Sequence, residues 1–226
     1  MPRDWQRLLG FALAIGAVVL VLAVLGGRLL GFAAGPEVEL ITQLKKAERG
    51  VDLGVAPYGT LVGAKLQYQR LSVTVDEPAH TAMVTGTLDF TGVFNRDIKV
   101  SSLGLEKVPF VFKDGEWQPV AGVAPRLVAI VQALEVRRRR IEAGDFDTQE
   151  PDAGDPVETA RFTAMTRRAY RSEAWYIRSE REDVEVAEDY RLTGDTPQRP
   201  IDEKATKRMT LHEDRLGRFF FPHGLL

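Results

Sequence analysis

A chain of 226 residues, 44% hydrophobic and 27% charged, is long enough to bury a core and too apolar for wholesale disorder. Its 30 basic and 32 acidic residues give a formal net charge of −2; without Arg3, Arg7, Arg28 and Asp4 the remainder stands at 27 against 31, an acidic balance that argues against nucleic acid as a partner. Cysteine is absent, which excludes disulfides, thiolate nucleophiles, cysteine zinc sites and a lipidated cysteine.

From Leu8 to Gly27 the chain carries no charge (LLGFALAIGAVVLVLAVLGG), and twelve of these residues are Leu, Ile, Val or Phe. At 1.5 Å per residue such a helix spans about 30 Å, the thickness of a bilayer's hydrocarbon layer. Cleaved signal peptides have apolar regions of only about 7–15 residues, so the run reads as an uncleaved signal anchor contacting membrane lipid. Residues 1–7 are then a short cytoplasmic tail and residues 28–36 a membrane-exit linker. The short tail and the acidic pair Glu37 and Glu39 favour export of everything beyond, from a plasma (inner) membrane.

Past the linker, Val38, Ile41, Leu44 and Ala47 follow helical spacing behind Pro36, and Gly50 ends that helix. A glycine-rich connector, 50–63, leads to strand patterns over Leu66–Val75, Thr81–Val93 and Ile98–Phe112, the last kinked at Gly104 or Pro109. Lys113-Asp114-Gly115-Glu116 is a hairpin turn before Trp117. Pro125 to Gly144 returns to helical spacing through Leu127, Ile130, Val131, Leu134 and Ile141. An acidic loop, 145–155, precedes a further helix predicted over Pro156–Tyr170. Strands follow at Ala174–Ser179, Val184–Leu192, Glu203–His212 and Arg218–Phe221.

The two halves echo one another. Gly92 and Gly194 each close a strand at an offset of 102, and Pro119 and Pro222 stand 103 apart, which suggests duplication. The expected organisation is α+β: an N-terminal transmembrane helix, then helices on strongly curved antiparallel sheets, as two tandem cone-like domains over 37–120 and 121–226.

The apolar helix over Val128–Asp145, ending Ile141-Glu142-Ala143-Gly144-Asp145, resembles the opening helix of nuclear transport factor 2-like domains. Trp175-Tyr176-Ile177 through Phe221-Pro222-His223-Gly224 is similar to their curled sheet. The resemblance covers residues 125–226, with 37–120 as an abridged copy. It implies a cone with a hydrophobic mouth. Its members include isomerases, dehydratases and cyclases as well as non-enzymatic pocket, dimerisation and envelope-assembly modules. The family's catalytic histidine–aspartate or tyrosine–aspartate pair is not matched here.

No residue is assigned a catalytic role, and no cofactor is called for. His80, His212 and His223 lack metal-ligand spacing, so no metal site is expected. Strand alternation does place Glu188 on an otherwise apolar face with Val184, Val186, Tyr190 and Leu192. In Arg137-Arg138-Arg139-Arg140, Arg137 or Arg138 lies inside the apolar stripe between Leu134 and Ile141, and a buried guanidinium needs a carboxylate. Two readings follow: a structural Arg138–Glu188 ion pair, or a pocket carboxylate walled by Tyr190 and Trp175. The favoured function is a membrane-anchored, exported, non-catalytic binding or assembly module whose partner is an envelope protein or a second copy. The alternative is a small-molecule isomerase, cyclase or hydratase using Glu188.

Overall fold

A computed structural model describes residues 35–48, 52–144, 156–181 and 183–221. The chain divides into two compact units, Met1–Glu39 and Leu40–Leu226. The anchor expected at Leu8–Gly27 lies outside the described residues, among which no helix is long and apolar enough to cross a membrane.

Three helices are described: α1 (Pro36–Ala47), α2 (Pro125–Ala143) and α3 (Pro156–Ala164). The strands are β1 (Asp52–Val55), β2 (Gly59–Asp76), β3 (Thr81–Phe94), β4 (Ile98–Lys113), β5 (Glu116–Pro119), β6 (Thr166–Glu180), β7 (Asp183–Asp195), β8 (Pro200–Glu213) and β9 (Phe219–Phe220). All nine join one sheet in the order β1-β2-β3-β4-β6-β7-β8-β9, with β5 beside the end of β4.

The expected α+β chain of two tandem cones behind a membrane helix is corrected by this topology. The described residues are mostly strand, and both halves enter a single sheet curled into a half-barrel. Every pairing is antiparallel except β4–β6, where Lys99–Gly104 runs parallel to Ala174–Ser179. The cause lies in the connection. β5 covers only Phe110–Lys113 of β4, and the helical crossover through α2 and α3 is long enough to return β6 alongside the remainder. Gly104 permits the close approach: it sits at φ 155°, and a Cβ there would fall 2.1 Å from the Ser179 carbonyl oxygen.

Within this sheet the register repeats. Val73 pairs with Val84 in the first half and Ile177 with Val186 in the second, offsets of 104 and 102. Thr81↔Val111 becomes Asp183↔His212, offsets of 102 and 101, and Phe112↔Trp117 becomes Glu213↔Phe219, offsets of 101 and 102. The bulges repeat too: Gly63/Lys65 and Gln69/Ser72 on β2 match Thr166/Ala169 and Ser172/Ala174 on β6 to within two residues. Thus β2–β5 and β6–β9 are two passes of one strand pattern.

The inward face carries one large apolar cluster drawn from both passes, including Leu44, Val84, Phe90, Phe94, Val100, Phe110, Leu134, Trp175, Val186 and Leu211. A smaller cluster gathers Ile141, Phe162, Met165, Tyr170, Leu192 and Ile201. α2 packs against β1, β4, β6 and β9, so its buried stripe lies over the seam between the passes.

Candidate functional site

On β7 the alternation holds: Val184, Val186 and Glu188 point inward, and Glu188 is fully buried. Its cation is Arg137 from α2, which is 2% exposed and bonds Oε2 through Nη1. Tyr170 donates its hydroxyl to the same oxygen at 2.8 Å. Ser172 donates to Oε1 at 2.5 Å and the Trp175 indole N–H donates at 3.2 Å. Four donors from two elements, α2 and β6, therefore converge on one carboxylate. Burial pushes the Tyr170 hydroxyl pKa up, and the neighbouring Glu188 charge adds to the rise, so the phenol stays a donor.

Arg137 is held less completely. Burial disfavours its charge, but Glu188 and Tyr170 more than restore it, and its pKa lies above the usual value. Its Nη2 is buried without a hydrogen-bond partner among the described residues, and the guanidinium carbon sits 5.9 Å from the centre of the Phe221 ring.

The expected Arg138–Glu188 pair does not form. Arg138 instead donates to Glu135 at 2.7 and 2.8 Å and bonds Glu142. The reason is legible along the helix: Arg138 has acids at i−3 and i+4, whereas Arg137 has Leu134 and Ile141 at those distances and is left to a carboxylate from the sheet. Trp175 and Tyr190 lie where the expected pocket walls would stand. Trp175 is buried, with its ring 5.6 Å from that of Phe94. Tyr190 is half-buried and stacks on Tyr170 at 4.9 Å. Tyr170 and Ser172 escaped sequence reading because the helix predicted to Tyr170 ends at Ala164, and β6 begins at Thr166. Residues 169–179 do alternate inward and outward once the one-residue bulge near Glu173 is allowed for.

A second buried polar group supports the start of α2. Ala124 provides no side-chain cap there, but Glu106 of β4 accepts the backbone N–H groups of Arg126 at 2.7 Å and Leu127 at 3.2 Å. Burial pushes the Glu106 carboxyl up to about 8, against the lowering effect of those two N–H donors. Arg126, 5% exposed, then ties three strands together, bonding the Leu105 carbonyl, the Ser179 hydroxyl, the Arg181 carbonyl and, at 3.0 Å, Glu213.

Glu188 is thus a saturated carboxylate inside a packed interior. One cleft of about 560 Å³ is lined by Ser72, Thr85, Thr87, Leu103 and Arg178 among others, and another of about 550 Å³ by Arg178, Glu180, Arg181, Asp183 and Glu185. Glu188 lines neither. His212 makes a 2.8 Å contact with Asp183, and among the described residues no three His, Asp or Glu side chains are grouped to hold a metal. No family model, curated protein or solved structure matches the chain.

Proposed function

We propose that this protein is a non-catalytic binding or assembly module, held at a membrane by the uncharged run Leu8–Gly27 with its sheet presented beyond it. The observation that carries the reading is the state of Glu188. A general base must reach a substrate proton, and this carboxylate is fully buried with both oxygens occupied by donors. The resemblance of residues 125–226 to nuclear transport factor 2-like domains supports the same reading, since that family includes dimerisation and envelope-assembly modules. The apolar run of twenty residues supports the location.

The test is photo-cross-linking in intact cells from position 176, where Tyr176 is 48% exposed on the sheet. The expected result is a discrete protein adduct that sediments with membranes and is released by detergent but not by salt. Intact chain in the supernatant of lysed cells, or no protein adduct from the sheet, overturns the proposal.

A further inference from the structure

The seam between the two passes shows how one copy of the strand pattern joins the next. There Lys99–Gly104 of β4 lies parallel to Ala174–Ser179 of β6. Carried through the register offsets of 101 and 104, the β4 side of this seam recurs at Pro200–Ala205 of β8, and the Tyr176–Ser179 side recurs at Ser72–Val75 of β2.

Both recurrences stand at the margins of the sheet. β8 bonds β9 only at His212 and Glu213, and β1 covers β2 only from Gly59 to Val62. Further along β2, Glu48 accepts the Tyr68 N–H at 2.8 Å and Lys45 donates to its carbonyl at 2.6 Å. Beyond these points the outward backbone of Ser72–Val75 and of Pro200–Ala205 takes no partner among the described residues.

The β2 side chains suit a repeat of the seam. Ser72-Val73-Thr74-Val75 is uncharged and rich in β-branched residues, with Val73 and Val75 half-buried against the core. An edge that shuns partners carries lysine or proline in such a place; Ser72–Val75 carries neither, whereas β8 carries Lys204 within Asp202–Ala205 and Pro200 just before it. On β8, Ile201 stands at the position of Val100, and Ala205 at that of Gly104, where the strands must shift apart to admit its Cβ. The β8 charges Asp202, Glu203 and Lys204 meet a neutral strand, so no like-charge clash opposes the pairing.

We propose that a second copy of this chain is the partner. Asp202–Ala205 of one molecule pairs in parallel with Ser72–Val75 of the next, repeating the β4–β6 seam between molecules. The contact is heterologous, using different surfaces on the two copies, and therefore extends head to tail or closes a ring. It rests on the assembly reading above, for which it names the partner.

The absence of native cysteine gives a direct test. The seam pair Leu103↔Arg178 maps onto Lys204 and Thr74, both exposed. Parallel neighbours lie about 4.8 Å apart, within disulfide reach. Full-length chains carrying Lys204→Cys and Thr74→Cys are mixed in detergent micelles and mildly oxidised. The mixed disulfide should exceed either symmetric dimer by about tenfold, given that one parallel register brings only the unlike pair together, and a chain carrying both substitutions should give a ladder of oligomers. Symmetric Thr74→Cys dimers in equal yield, or monomer alone, overturn the pairing. A membrane-bound chain that yields its cellular adduct but no mixed disulfide keeps the assembly reading and loses this inference. A soluble chain that still forms the mixed disulfide loses the membrane reading and keeps the strand pairing.

Discussion

At the scale of single residues, Glu188 and Arg137 decide how the interior tolerates charge. Glu188→Gln leaves the buried Arg137 without a counter-charge, and such a change costs about 3 kcal/mol or more. Urea unfolding should show that loss. Arg138→Ala should cost less than about 1 kcal/mol, because Arg138 is partly exposed and Glu135 keeps its 2.7 Å bond from Arg139. Equal losses from the two substitutions would contradict the pairing assigned here. Glu106 supplies a pH signature. Its folded pKa of about 8 lies above the ordinary carboxyl value of 4.5, so the folded chain holds a proton that the unfolded chain releases between those limits. Its contribution is present in full below about pH 4.5 and is lost as pH rises through about 8. The unfolding midpoint should therefore fall across that window. Glu106→Gln removes this slope and one of the two helix-capping bonds, at a pH-independent cost of about 1 kcal/mol. An unchanged slope in the variant would exclude Glu106 as its source.

At the scale of elements, the β4–β6 seam rests on Gly104. A valine there meets both a backbone conformation that side chains rarely adopt and the Ser179 carbonyl oxygen. Gly104→Val should cost at least about 2 kcal/mol, read in the same unfolding experiment; a loss within error would mean that the strands do not approach there. The apolar stripe of α2, Leu127 through Ile141, is readable from spacing alone, and so is its stop at Gly144, which adopts the left-handed conformation at φ 70°. The start of β6 is not readable in that way. Its bulges at Thr166/Ala169 and Ser172/Ala174 break the two-residue period, and the helical pattern of Pro156–Tyr170 runs on past the true end of α3 at Ala164. Of the four groups that bond Glu188, Tyr170 sits inside that misread stretch and Ser172 just past it, before the strand expected from Ala174.

At the scale of the whole molecule, the large apolar cluster takes side chains from both passes of the sheet, and α2 covers the seam. The larger core of residues 40–226 is thus shared between the halves, and only the smaller cluster around Ile141, Phe162 and Tyr170 lies within one of them. The unit as a whole should unfold in one cooperative step, with Trp175 fluorescence and far-ultraviolet circular dichroism coinciding. Two separated transitions would restore the picture of independent tandem domains.

Sequence alone determined the local periods: which residues face inward on α2 and β7, that Glu188 is an inward carboxylate, and that landmarks recur about 102 residues apart. Those features depend on neighbours a few positions away, where helix and strand geometry fix direction. Tertiary structure decided that the repeated strands merge into one sheet, that Arg137 rather than Arg138 reaches Glu188, and that Tyr170, Ser172 and Trp175 fill that carboxylate's remaining acceptor sites. These outcomes turn on which strand returns beside β4, and that choice is settled by packing between segments some 75 residues apart, as Lys99 and Ala174 are.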